Sequence, residues 1–157
     1  MDEAARGRLA AWLSAASGAP VAVTGMALLS GGAVQQNWAL EVTRRDAAER
    51  WVLRTDNAAV LSVSLPRPAE FALLRAAHEA GVAVPEPLFC CEDRGVTGAP
   101  FFVMRRVEGV AQGHRLARQA AAMGGDAALV ETIGRELARI HRIRPPREDL
   151  AFLPAPP

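Results

Sequence analysis

Trp51-Val52-Leu53-Arg54-Thr55 has the composition and alternation of a short β-strand. Side chains alternate with period two along a strand, so Val52 and Arg54 share a face. If that face lines a cleft, Val52 supplies an apolar wall and Arg54 a fixed positive charge. The ordinary fate of a strand-end arginine is water, so this run needs its neighbours before it means anything. Upstream, residues 21–29 and 37–43 are two more β-like runs, the second alternating Trp38, Leu40 and Val42 with polar residues. Ser30-Gly31-Gly32 breaks the first from the second, and residues 44–50 read as a charged turn. Ahead of them, residues 2–17 carry Leu9, Trp12, Leu13 and Ala16 at helical spacing, with acidic residues first and Gly18-Ala19-Pro20 last.

Downstream, residues 56–68 form a loop rich in Ser, Pro and Asn. Residues 69–80 then form a helix with Phe71, Leu74, Ala77 and His78 on one side, closed by Gly81. Residues 88–91 and 101–107 read as strands joined by a turn containing Gly95 and Gly98. Residues 126–143 form a helix with a stripe of Leu129, Ile133, Leu137 and Ile140, and Asp126 is a suitable N-cap. The Pro-rich end, 145–157, is expected to be extended. Helix, three strands, helix, two strands, helix is an α+β order. Its simple solution is a five-stranded antiparallel sheet with packed helices.

Composition narrows the class. The chain has 157 residues, with 18 basic against 17 acidic and a net charge of +1. That balance argues against nucleic acid as a partner. No run approaches the roughly 20 apolar residues of a membrane span, and the acidic start Met1-Asp2-Glu3 is not a signal peptide. Cys90 and Cys91 are adjacent, poorly placed to bridge, and without CxxC spacing, so a reducing cytoplasm is the expected compartment. All the basic residues are Arg and about a fifth of the chain is Ala, which suggests GC-rich, bacterial coding.

Four features gain meaning together. The stretch from Leu29 to Asn37 holds glycines that let a backbone approach phosphate oxygens, although an ordinary turn explains it alone. Arg54 is a strand cation. Glu70 opens the following helix, where it could hold the Arg54 guanidinium toward a phosphate, or simply complement the helix dipole. Residues 100–109 run from an apolar strand into a polar, Gly-ended segment. Glycine loop, strand cation, helix carboxylate, apolar strand and hinge is the order of a kinase-like small lobe. Trp12, Trp38 and Trp51 read as core anchors, and His78, His114 and His141 as residues without metal spacing.

The carrying segments are Leu28-Leu29-Ser30-Gly31-Gly32, Trp51 through Asp56, Glu70 through Ala77, Val82 through Pro87, Gly98 through Met104, and Leu137-Ala138-Arg139-Ile140-His141. In that order they resemble the N-terminal lobe of the aminoglycoside phosphotransferase-like kinases. The resemblance is greatest to the bacterial subfamily related to kinase-like domains found with acyl-CoA dehydrogenases. It implies an ATP site: Ser30, Gly31, Gly32, Gln36 and Asn37 over the phosphates, Arg54 in the role of the strand lysine, Glu70 as its partner and Val52 as apolar wall. Met104 would back the adenine pocket, and backbone groups of Arg105 to Val107 would bind adenine. It further implies a small lobe over residues 1–109 (helix 2–17, sheet and helix 21–109), a helical segment 110–144 that starts a large lobe, and a Pro-rich tail 145–157.

Such a kinase also needs a His-x-Asp catalytic loop and a later Asp that binds magnesium. Here no aspartate follows a histidine by two positions. The chain is therefore expected to bind nucleotide as the small lobe of an ATP-dependent small-molecule phosphotransferase, with Mg2+ held only together with a C-terminal lobe, and to be inactive alone. The alternative is a non-catalytic binding or assembly module, or a truncated remnant, that pairs with a C-terminal lobe or with itself through the exposed lobe face.

Overall fold

A computed structural model describes residues 1–29, 35–56, 65–109 and 126–154, with positions 113, 115 and 118. In chain order the elements are α1 (Glu3–Ser17), β1 (Val21–Leu29), β2 (Gln35–Arg44), β3 (Ala47–Asp56), α2 (Arg67–Glu79), β4 (Pro87–Cys91), α3 (Arg94–Thr97), β5 (Phe101–Arg105), α4 (Asp126–Ile140) and a 3-10 turn at Glu148–Leu150. The strands form one sheet in the order β1-β2-β3-β5-β4, with every neighbouring pair antiparallel. The fold is α+β, and β3 lies at the centre of its sheet.

One face of the sheet is the core. Trp51 and Leu53 of β3 stand beside Leu40 and Val42 of β2 and beside Phe101 and Val103 of β5, and α1 covers them with Leu9 and Leu13. Trp12 adds an edge-on contact to Phe101, with ring centroids 5.2 Å apart. The start of α1 is held by the Asp2 carboxylate, which accepts from the Ala5 N–H at 2.8 Å. Its end turns through Gly18 at φ 63°, a left-handed position that suits glycine.

Several boundaries differ from expectation. Residues 44–50 are not a turn: only Arg45 and Asp46 lie outside the strands, and β2 pairs with β3 from Gln35↔Asp56 to Arg44↔Ala47. Charge suggested a loop, but Glu49 has a place in the sheet. Its carboxylate accepts from Arg44 Nε at 2.8 Å, Trp51 Nε1 at 3.1 Å and Arg105 Nη1 at 3.1 Å. Strand β5 ends at Arg105, two residues early, and α2 starts at Arg67, two residues early with Pro68 in its first turn. The last long helix closes at Ile140 rather than 143. The tail is not wholly extended: it makes the 3-10 turn, and Arg147 pairs with Asp149 at 2.9 Å and Glu79 of α2 at 3.5 Å.

The two-residue turn between β2 and β3 carries a testable misfit. Arg45 and Asp46 sit at φ 49° and 64°, where Asn-Gly is the favoured pair. The double substitution Arg45→Asn with Asp46→Gly is expected to stabilise the chain by about 0.5–1 kcal/mol, read as a higher urea midpoint at unchanged slope.

Cys91 is buried in the core, whereas Cys90 is half-buried, and neither is in a disulfide. Burial, then the nearby Glu92 and Cys91, push the Cys90 thiol up to about 11. Cys90 therefore stays protonated at neutral pH, and its alkylation should be slow at pH 8 and accelerate toward pH 11. The folded state keeps this proton longer than the unfolded chain does. The associated stability is present below the ordinary thiol range and is lost as pH rises through about 11.

Candidate functional site

Directly paired residues of antiparallel strands share a face. Asn37, Arg54 and Phe102 form one row across β2, β3 and β5, and Ala39, Val52 and Met104 form the next. This is the face opposite α1. Its floor is apolar, with Ala39, Val52 and Phe102 buried and Met104 half-buried. Helix α2 comes onto the same face through Phe71, whose ring lies 5.9 Å from that of Phe102. That contact sets the residue before it: Glu70 Oε1 lies 2.8 Å from Arg54 Nε. The Nε–H is not aimed at the oxygen, so the pairing there is one of charge. The other two guanidinium nitrogens meet neutral amides, with Nη1 donating to Asn37 Oδ1 at 3.4 Å and Nη2 to Gln35 Oε1.

A second cation stands behind this pair. Arg67 is 1% exposed. Its Nε lies 3.0 Å from Asp56 Oδ1, its Nη1 donates to Glu70 Oε2, and its Nη2 donates to the Leu65 carbonyl at 2.7 Å. Glu70 thus bridges two guanidiniums. Arg67 was not singled out in the sequence, because an arginine in the first turn of a helix is ordinarily solvated and works against the dipole. The available signals were Asp56 closing the central strand and Glu70 three residues after Arg67, one helical turn away.

Of the expected site residues, Asn37, Val52, Arg54, Glu70 and Met104 come to this one face. Gln36 does not. Strand alternation turns it to the opposite face, where its Oε1 accepts from Trp38 Nε1 at 3.3 Å, and Gln35 takes its place at Arg54. Ser30, Gly31 and Gly32 lie outside the described residues. The Arg105 side chain also points away, to Glu86 at 2.7 Å and Glu49 at 3.1 Å, and these partners raise its pKa.

At the last residue of β5, the Arg105 N–H is engaged with Glu86 O at 2.8 Å, and just beyond the strand the Arg106 N–H is engaged with Arg50 O at 2.9 Å. Val107 is 63% exposed, and among the described residues nothing accepts from its N–H.

Two further features lie away from this face. An apolar cavity of about 610 Å3 is lined by Leu73, Ala76, Ile140, Ile143, Leu150 and Leu153 among others. Arg144 and Arg147 also stand in its wall, and Arg147 is already paired with Asp149 and Glu79. Helix α4 exposes Leu129, Val130, Ile133, Leu137 and Ile140. Among the described residues, no group of three or more His, Cys, Asp or Glu is placed to hold a metal ion, and no helix is long and apolar enough to cross a membrane.

Residues 25–157 match the Phosphotransferase enzyme family, APH, and the chain belongs to that family. The β1-β2-β3-β5-β4 sheet, with α2 between β3 and β4, is the protein-kinase-like small lobe that goes with it. No curated protein matches the chain. A solved structure from Ralstonia eutropha JMP134, an aminoglycoside phosphotransferase by assignment, is 20% identical with a TM-score of 0.48 over 68% of this chain. The chain spans 29% of that structure's length.

Proposed function

We propose that this chain is the nucleotide-binding part of a small-molecule phosphotransferase, and that the Arg54 face receives ATP. The carrying observation is the Arg54–Glu70 pair at 2.8 Å. It fixes one edge of the guanidinium and leaves Nη1 and Nη2 on the uncharged amides of Asn37 and Gln35. Phosphate oxygens would displace those amides, because an ionised acceptor adds opposite charge and a geometry matched to the guanidinium fork, which a neutral amide oxygen lacks. Ala39, Val52 and Met104 offer the apolar floor for the base, and the Val107 N–H offers a hinge donor.

Phosphoryl transfer is largely positioning and electrostatic stabilisation. In this reading Arg54 holds and orients the phosphates, Glu70 holds Arg54, and the hinge backbone sets the register of the base. A direct consequence is ligand ranking. ATP and ADP should bind at least about tenfold more tightly than adenosine, measured by equilibrium titration; equal affinities would remove the phosphates from the site.

A second reading, an assembly module, is favoured by the bare apolar stripe of α4. Val130, Ile133 and Leu137 are each about half exposed or more, and a contiguous stripe of this kind marks an interaction surface. The same stripe would serve a C-terminal lobe or a second copy. If it pairs copies of this chain, sedimentation will show concentration-dependent association that Ile133→Glu abolishes. A monomer across that concentration range counts against self-pairing.

A further inference from the structure

We propose that Arg67 is a positioning residue for the phosphate site, acting through Glu70 on Arg54; this rests on the reading of the Arg54 face as the nucleotide site. Asp56, Arg67, Glu70 and Arg54 form a chain of alternating charge that joins the end of the central strand to the first turn of α2. Arg67 is the buried link: its Nη1 and Nη2 donate to Glu70 and to the Leu65 carbonyl, and its Nε, which makes no hydrogen bond, lies 3.0 Å from Asp56 Oδ1 as a contact of opposite charges. A guanidinium at the start of a helix opposes the dipole, and burial penalises it further. Its place is explained by what it holds. A carboxylate has two oxygens: Arg67 takes Oε2 of Glu70, which turns Oε1 toward Arg54. Without Arg67, Glu70 is free to rotate about its side-chain bonds, and Arg54 loses the anchor that aims its Nη atoms at the ligand.

The arrangement also ties the anchor to helix position. Asp56 belongs to the sheet and Glu70 to the helix, so Arg67 sets the distance between them. Lysine is a poor substitute, because a point charge cannot meet two carboxylates and a carbonyl in the fixed fork that arginine provides.

The test uses the full chain and two readouts. The first is ATP affinity by calorimetry for wild type, Arg67→Gln, Glu70→Gln and the double variant. The second, which needs no nucleotide, is the Arg54 Nε–Hε resonance, assigned by its loss in Arg54→Lys. Folding is checked by circular dichroism, and Arg67→Lys is measured in the same way if Arg67→Gln does not fold.

The expected result is a folded variant with a moved Arg54 resonance and ATP affinity lowered about tenfold. In the Glu70→Gln background the same substitution should cost less than about twofold, since residues acting through one partner are not additive. An unmoved resonance, unchanged affinity, or a full additional loss in the Glu70→Gln background overturns the proposal, the last because a merely structural role would add. If Arg54→Ala also binds ATP as wild type does, the nucleotide reading itself fails, and the proposal falls with it.

Discussion

Arg54→Ala is expected to weaken ATP binding about a hundredfold, because two hydrogen bonds to charged phosphate oxygens, worth roughly 1.5–3 kcal/mol each, are partly replaced by water. The fold should survive the change. Glu70 keeps its second guanidinium, Arg67, so no carboxylate is left without a charged partner, and the midpoint of thermal unfolding should move by only a few degrees. Arg54→Lys separates charge from geometry. It retains the cation but not the fork, and should lose about tenfold. Calorimetric titration of the three proteins under one salt condition reads these effects. Equal affinity in all three would remove Arg54 from the site.

The largest effect on stability is expected at the centre of the sheet. Trp51 is fully buried, sits edge-on to Phe89 at 5.8 Å, lies under the Arg44 guanidinium at 5.8 Å, and donates to Glu49 at 3.1 Å. Trp51→Ala should destabilise the chain by about 3–5 kcal/mol, a large share of an ordinary domain's stability of roughly 5–15 kcal/mol. Trp38, only partly buried against the same core, should cost clearly less on the same change. Urea unfolding followed by far-ultraviolet dichroism measures both. Equal losses would mean that the two indoles contribute alike to the core.

These two residues also mark how far sequence reasoning reached. Trp51 and Arg54 were legible because alternation on a short strand assigns each to a face, and the sheet obeys that rule. Gln36 was misplaced because that rule was not applied to it: the phosphate-covering segment was read as a block. A glycine loop suggests that everything up to Asn37 faces the ligand, but Gln35 and Asn37 are already in β2, and only alternate residues share Arg54's side. Residues 44–50 misled for another reason. Charge normally signals a loop, yet Glu49 can stay in the strand because three donors converge on its carboxylate. Arg67 was hidden because its role depends on a tertiary meeting of Asp56 with the first turn of α2, which no local pattern encodes. The exposed stripe of α4 was legible as amphipathicity, but periodicity does not specify what covers it.

The most direct measurement is to map ATP on the chain by the perturbation of amide and arginine side-chain resonances. The account predicts shifts concentrated on Asn37, Ala39, Val52, Arg54, Met104 and Val107, saturating with a single affinity. Shifts confined to the apolar cavity around Leu73, Ile140 and Leu150, or no saturable shifts at millimolar ATP, would contradict it.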